Sequence, residues 1–313
     1  MEFRQLGRSG LRLSLIGLGC NNFGARLPLE GARKVVDKAL DLGVTFFDTA
    51  DRYGGPGTSE TILGEILGPR RKDIVLATKF GISLEDRTAL AGASRAYIMT
   101  AVEASLRRLK TDWIDLYQVH RPDPATPIEE TLRALDDLVR DGKVRYTGVS
   151  NFAGWQVAEA EWTARSIGTA RFASVQDEYS LAYRGHEKEL IPAIEAYGLG
   201  FLPYRPIASG ILTGKYRRGE PLPAGTRMER LKHHAAKYAR DRNFEVAERL
   251  EDFAVARGHT LIELAFSWLA ARSFVSSIIP GAMTPEQVEQ NVAAAGWRLN
   301  PEELAEIDRI SAK

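Results

Sequence analysis

Residues 41–53 read Asp41-Leu42-Gly43-Val44-Thr45-Phe46-Phe47-Asp48-Thr49-Ala50-Asp51-Arg52-Tyr53. Three signals follow one another here: a glycine that stops an amphipathic run begun near Leu29, a short apolar strand-like run, and polar residues where that run ends. The unit recurs. Ile74-Val75-Leu76-Ala77-Thr78 stops at Lys79, and Trp113-Ile114-Asp115-Leu116-Tyr117-Gln118-Val119 stops at His120. An acid (Asp48), a phenol (Tyr53), an amine (Lys79) and an imidazole (His120) thus follow successive strands. In a barrel of parallel strands and covering helices, the C-terminal strand ends form one face, and such residues converge there.

Working outward, the alternation fills the chain. Strand-like runs occupy residues 13–18, 44–47, 74–78, 113–118, 145–149, 172–176, 200–204 and 277–279, and helix-like segments occupy 29–42, 60–67, 95–109, 127–141, 153–166, 186–197 and a late block from 243 to 272. A hairpin at 2–14, turning at Gly7-Arg8-Ser9-Gly10, precedes them, and a short helix from Pro301 to Lys313 closes the chain. Glycines at 43 and 142 stop helices just before strands, and Thr126-Pro127-Ile128-Glu129 reads as a Thr N-cap with proline in the first helical turn. Eight βα units without a long linker predict an α/β fold: one (β/α)8 TIM barrel spanning residues 1–313 as a single domain. The stretch from Pro206 to Arg242, rich in basic residues and holding three prolines, is expected to be a long functional loop after the seventh strand.

Composition narrows the function classes. With 44% hydrophobic and 27% charged residues the chain is ordinary for a globular protein, and a net charge of +1 gives no global field for nucleic acid or an anionic membrane. The N-terminus lacks an apolar signal core and no run approaches the ~18 apolar residues of a membrane span, so a cytoplasmic location is expected. The lone Cys20 excludes an intramolecular disulfide and reads as a small buried residue. Five histidines, with no i,i+4 pair and no cysteine cluster, offer no metal site.

The segments Phe47-Asp48-Thr49-Ala50-Asp51-Arg52-Tyr53-Gly54, Ala77-Thr78-Lys79, Val119-His120-Arg121-Pro122 and Gly148-Val149-Ser150-Asn151-Phe152, with Gly17-Leu18-Gly19 and a late Ile279-Pro280-Gly281 followed by Gln287 and Asn291, resemble the aldo-keto reductases in order and spacing. The resemblance runs from Gly7 to Asn291. It implies an NAD(P)H-dependent oxidoreductase acting on a small aldehyde or ketone, with NADP(H) as cofactor and NAD(H) as a second option, while charge and hydropathy lead to the expectation of no nucleic-acid or membrane partner. Tyr53 would donate the proton, Lys79 would draw its pKa toward the working range, Asp48 would hold Lys79, and His120 would orient the carbonyl. Taken alone, Asp48 and Lys79 also read as a structural ion pair, and Tyr53 and His120 as a loop aromatic and a strand-end histidine.

By the same resemblance, Ser150, Asn151 and Gln176 would hold the nicotinamide carboxamide, and Tyr204 would stack on the ring. Pro206, Ile207, Ala208, Gly210 and Lys215 would lie over the pyrophosphate, with Arg227 either joining them or remaining a solvated loop charge. Gly281, Met283, Gln287, Gln290 and Asn291 fall at the adenosine end, where amides at the Thr284-Pro285-Glu286 helix start suit a 2′-phosphate. Gly19, Cys20 and Asn21 complete the cofactor-binding set. Arg205 departs from the family pattern, either touching phosphate or narrowing the pocket. Asn21, Asn22, Phe23, Tyr53, His120 and Arg121 are expected around the pocket mouth. Two other readings stay open: a cofactor-binding regulatory module like the β subunits of potassium channels, and a barrel aldolase with Lys79 as a Schiff base.

Overall fold

A computed structural model describes residues 1–82 and 92–312. The hairpin forms as β1 (Phe3–Gln5) and β2 (Arg12–Ser14), paired antiparallel. Its turn is pressed onto the chain before the seventh barrel strand: Arg8 N donates to Gly198 O at 2.9 Å. Gly7 lies at φ 55°, and a Cβ there would meet Gly198 O at 2.5 Å, so no larger residue fits.

Strands and helices then alternate: β3 (Leu18–Gly19), α1 (Leu29–Asp41), β4 (Phe46–Asp48), α2 (Thr58–Leu67), β5 (Val75–Phe80), α3 (Arg95–Leu109), β6 (Ile114–Val119), α4 (Ile128–Arg140), β7 (Val144–Ser150), α5 (Gly154–Ile167), β8 (Ser174–Glu178), α6 (Leu190–Tyr197) and β9 (Gly200–Tyr204). β3 to β9 lie side by side in chain order, every neighbour parallel. Residues 275–281 take the eighth position and close the ring: Val275 and Ile279 bridge to Phe201 and Tyr204, while Ile278 and Gly281 bridge to Ile16 and Gly19. This is the expected (β/α)8 barrel.

Some local expectations shift. The run from Leu13 to Leu18 divides, its start going to the hairpin and only β3 with the Ile16 bridge to the barrel. The stretch from Pro206 to Arg242 folds a 3-10 turn (Ala208–Thr213) and two short helices, α7 (Arg227–Arg230) and α8 (Lys232–Tyr238). The late block is two helices, α9 (Asp241–Val255) and α10 (Leu261–Ala270), because Thr260 and Glu263 form a capping box that starts a new helix. Thr126 does not cap α4; its hydroxyl donates to Asp123 at 2.7 Å. α11 (Pro285–Ala293) and α12 (Pro301–Ser311) end the fold.

Side chains alternate across each strand, which gives the barrel two cores. Outward-facing Phe47, Leu76, Tyr117, Val175 and Phe201 pack under the helices. Inward, Phe46, Ala77, Leu116, Leu202 and Ile279 fill the barrel, and Leu6 and Leu13 of the hairpin plug its lower end. Two residues further along, the inward positions turn polar: Asp48 after Phe46, Lys79 after Ala77, Gln118 after Leu116, Tyr204 after Leu202. The switch from apolar to polar along the interior sets where a site can form.

Candidate active site

At that polar level four strands meet in one hydrogen-bonded cluster. The fully buried Lys79 Nζ donates to Asp48 Oδ2 at 2.6 Å, to Thr49 O at 3.0 Å and to the Tyr53 hydroxyl at 3.1 Å, filling its three donor positions. The other Asp48 oxygen accepts from Gln118 at 3.3 Å and Gln176 at 2.9 Å. A buried ammonium is costly unless paired and bonded in this way. Burial alone would push the Lys79 pKa down, but Asp48 and Tyr53 outweigh it and hold the group above its ordinary value, so it is an ammonium at neutral pH.

Tyr53 stands on the turn after β4, held by its own backbone. Its N–H donates to Ala50 O at 3.2 Å and its carbonyl accepts from Ser59 N at 3.0 Å. Gly54 follows at φ 75°, and a Cβ there would strike Phe23 O at 2.3 Å, so a glycine is required for the turn to seat. The His120 ring meets the Tyr53 ring edge-on, with centroids 5.7 Å apart. Burial, then the charges of Lys79, Arg121 and Arg52, drive the His120 pKa down to about 2. His120 is therefore a neutral imidazole.

One expectation needs correction. The phenol of Tyr53 is not drawn toward neutrality: burial raises its pKa above the ordinary tyrosine value, and Lys79 offsets this only in part. A protonated phenol beside a fixed ammonium can release a proton to an adjacent oxyanion, with Lys79 then stabilising the phenolate left behind.

The tetrad opens into a cavity of about 850 Å³, within the size range of small-molecule and cofactor sites. Nearly the whole expected set lines it: Gly19, Asn21, Asp48, Tyr53, His120, Ser150, Asn151, Gln176, Tyr204, Arg205, Pro206, Ile207, Gly210, Lys215, Arg227, Gly281, Met283, Gln287 and Asn291. Asn22 and Arg121 line it as well, whereas Phe23, expected at the mouth, is fully buried. Lys79 lies behind Asp48 and Tyr53, hydrogen-bonded to both.

Three expected cofactor contacts do not line the cavity. Cys20 is fully buried, its Sγ turned to Leu18 O, Ala208 is buried in the helix-packed core, and Gln290 is exposed on α11.

Asn151 sits at φ 61°, a left-handed conformation that asparagine tolerates better than most residues. Its Nδ2 donates to His120 O at 2.9 Å and Ser150 Oγ at 3.0 Å, and its Oδ1 accepts from the Tyr204 hydroxyl at 2.8 Å. The amide thus ties the strand ends of β6, β7 and β9 together.

Features capable of holding a dinucleotide are present along the wall. Gly210, at φ 101°, has the Lys215 stem against it, where a Cβ would meet Lys215 Cε at 2.9 Å. Ser209 Oγ and His234 Nδ1 lie 2.6 Å apart and pin this turn to α8. The buried Arg227 Nε lacks a hydrogen-bond partner among the described residues, so an anion there would satisfy it. At the other end, Thr284 Oγ1 accepts from Gln287 N at 3.3 Å and Met283 N donates to Gln287 Oε1 at 2.8 Å. The amides of Met283 and Gln287 are therefore already engaged, which leaves those of Thr284 and Glu286 as the donors this helix start could offer a 2′-phosphate.

Arg205, which lines the cavity, is also tied into a polar cluster behind it. Its guanidinium donates to Glu178 Oε2 at 3.1 Å and to the Tyr238 hydroxyl at 3.2 Å, and Lys237 Nζ reaches the same Glu178 oxygen at 2.6 Å. Arg205 thus neutralises a buried carboxylate at the end of β8. Glu178, Tyr238 and Lys237 carried no signal in the sequence, because the cluster joins residues about sixty positions apart. Gln118 had one: it is the next inward position after Leu116 on β6.

A family model described as "Aldo/keto reductase family" matches residues 15–312. A probable voltage-gated potassium channel subunit beta of Oryza sativa subsp. japonica is 36% identical over 99% of this chain and 96% of its own length. An uncharacterized oxidoreductase of Bacillus subtilis is 36% identical over 99% of this chain and 96% of its own. An L-glyceraldehyde 3-phosphate reductase of Escherichia coli is 33% identical over 99% of this chain and 92% of its own.

Proposed function

The chain belongs to the aldo/keto reductase family, and from that premise we propose that it reduces a small aldehyde or ketone to an alcohol with NADP(H), using Tyr53 as the proton donor. The observation that carries this reading is the Lys79 ammonium bonded at once to Asp48 and to the Tyr53 hydroxyl, beside a neutral His120 on one cavity wall. A bound nicotinamide supplies the hydride that no side chain can.

The chain's own residues do the rest. His120, being neutral, can direct a hydrogen bond at the carbonyl oxygen and fix its approach without competing for the proton. As negative charge develops on that oxygen, Tyr53 passes it the phenolic proton. The Lys79 ammonium meets the charge that appears on the phenolate, and Asp48, braced by Gln118 and Gln176, keeps Lys79 in place. Ser150, Asn151 and Gln176 are the carboxamide partners in this proposal and Tyr204 the stacking ring. Both amide hydrogens of Gln176 are engaged by Asp48 and Gln118, so it would act through its oxygen. Lys215 and Arg227 supply the positive charge for cofactor phosphates.

A Schiff-base role for Lys79 is disfavoured by the same contacts, because an ammonium held by a carboxylate is not a nucleophile. A second reading, a cofactor-binding assembly subunit, is favoured by relatives named as potassium channel subunits. Adding short aldehydes to the protein loaded with NADPH and following loss of the reduced nucleotide separates the two: a reductase consumes it, and an assembly subunit that only binds the nucleotide does not.

A further inference from the structure

Six cations line the main cavity with no salt bridge among the described residues: Arg26, Arg52, Arg121, Lys215, Arg227 and Arg230, of which Arg52 is within electrostatic reach of the Asp51 carboxyl. Among the described residues Asp48 is the one carboxylate lining this cavity, and it is already held by Lys79, Gln118 and Gln176. The chain as a whole carries a net charge of only +1, so the excess is local. Clusters of unpaired like charge repel and cost stability unless an anion joins them. A dinucleotide accounts for Lys215 and Arg227 near the 208–213 turn. It does not account for Arg52 and Arg121, which directly adjoin Tyr53 and His120 in the chain and stand at the catalytic end. Their charges reach the His120 ring, and Arg26 similarly faces Arg230.

Resting on the reductase reading above, we propose that Arg52 and Arg121 form a subsite for an anionic group carried by the carbonyl substrate, a phosphate or a carboxylate, with Arg26 and Arg230 extending the positive rim across the cavity mouth. A carbonyl at Tyr53 and His120, joined by a short carbon chain to an oxyanion, places its charge toward the two guanidinium forks. Their planar, multiply donating geometry suits either oxyanion. Mere stabilisation of charge developing at the reacting oxygen would help neutral and anionic substrates alike, so matched pairs separate the two roles.

The experiment uses the protein saturated with NADPH and compares kcat/KM for glyceraldehyde 3-phosphate against glyceraldehyde, and for succinic semialdehyde against butanal, at low and high salt. The anionic member of at least one pair should be favoured about tenfold or more, and the preference should shrink with salt. Preference in only one pair identifies the anion as phosphate or carboxylate. In the Arg52→Gln/Arg121→Gln double variant the anionic-to-neutral ratio should fall toward one. Among the described residues neither side chain has a hydrogen-bond or salt-bridge partner that the substitution would remove. Ratios near one in both pairs for the unaltered protein, or a ratio that survives the double substitution, overturn the subsite. Should none of the four aldehydes be reduced, the reductase reading fails. Titration of the NADPH-loaded protein with inorganic phosphate and with succinate, followed by tryptophan fluorescence, then judges the subsite alone. Affinity about tenfold weaker in the double variant supports it, and equal affinity overturns it.

Discussion

The Lys79 ammonium lies 3.1 Å from the Tyr53 hydroxyl and 4.8 Å from the centre of its ring, with no solvent contact of its own. It faces both the oxygen that would lose a proton and the π-cloud behind it, and Asp48 fixes it there at 2.6 Å. Charge formed on Tyr53 in the proposed reaction would be met by a group already in position, offsetting in part the burial that raises the phenol's pKa.

Removing that group separates structure from chemistry. Lys79→Met leaves Asp48 as a buried carboxylate with only two amide donors, so it should lose about 3–5 kcal/mol of stability in urea unfolding. The Asp48→Asn/Lys79→Met double variant should recover much of that loss without recovering activity. In both, the Tyr53 phenol rises further above its ordinary pKa and aldehyde reduction slows. A double variant reducing aldehydes at the unaltered rate would make the ion pair purely structural.

Two buried groups near the site should leave opposite pH signatures on stability. Burial, then the charge of Glu60, raises Asp51 to about 7 even though the Tyr97 hydroxyl donates to it at 3.0 Å. An unfolded aspartate titrates near ~3.9, so the folded chain holds a proton there that the unfolded chain has lost, and stability falls as pH rises from about 4 to about 7. Asp51→Asn should therefore gain on the unaltered protein across that window, by on the order of 2–4 kcal/mol, and level off above it. An identical dependence on pH in both proteins would contradict the placement of Asp51.

His120 works in the other direction. With its folded pKa near 2, the unfolded chain takes up a proton below about 6.5 that the folded chain does not, so the stability it contributes is present above that pH and lost below it. His120→Asn should flatten this acid-side loss. The kcat/KM profile should show no imidazole inflection between about pH 5 and 9, and an inflection near pH 6.5 that His120→Asn abolishes would show the ring to be charged.

Asp48, Lys79 and His120 were legible because each ends a strand, and a barrel delivers strand ends to one place. The alternation that sends Phe46 and Asp48 to the same side could have found Gln118 as well. Other features needed the folded chain. Burial raising Tyr53, the Glu178 cluster between β8 and α8, and the Gln287 side chain closing over Met283 N all depend on contacts that sequence spacing does not encode. The loop from Pro206 to Arg242 misled for a local reason: its prolines and glycines mask two short helices whose formation rests on packing, as with Met228 and Tyr238 buried against the barrel.

In the proposed cofactor site, Lys215 and Arg227 would set the choice of nucleotide. With Lys215 and Arg227 as the phosphate partners, NADPH should bind roughly ten- to a hundredfold tighter than NADH at low salt, and the ratio should shrink as salt screens the charges. Lys215→Ala should weaken NADPH more than NADH. Equal weakening of both nucleotides would make Lys215 a pyrophosphate contact and leave the protein without selectivity from this residue.

The most direct measurement compares Tyr53→Phe with the unaltered protein for NADPH affinity, by quenching of tryptophan fluorescence, and for aldehyde-dependent NADPH oxidation. The substitution deletes one hydroxyl and leaves the ring against His120, so affinity should stay within about threefold while oxidation falls by about three orders of magnitude or more. Retention of more than about a tenth of the unaltered kcat would remove Tyr53 from the role of proton donor.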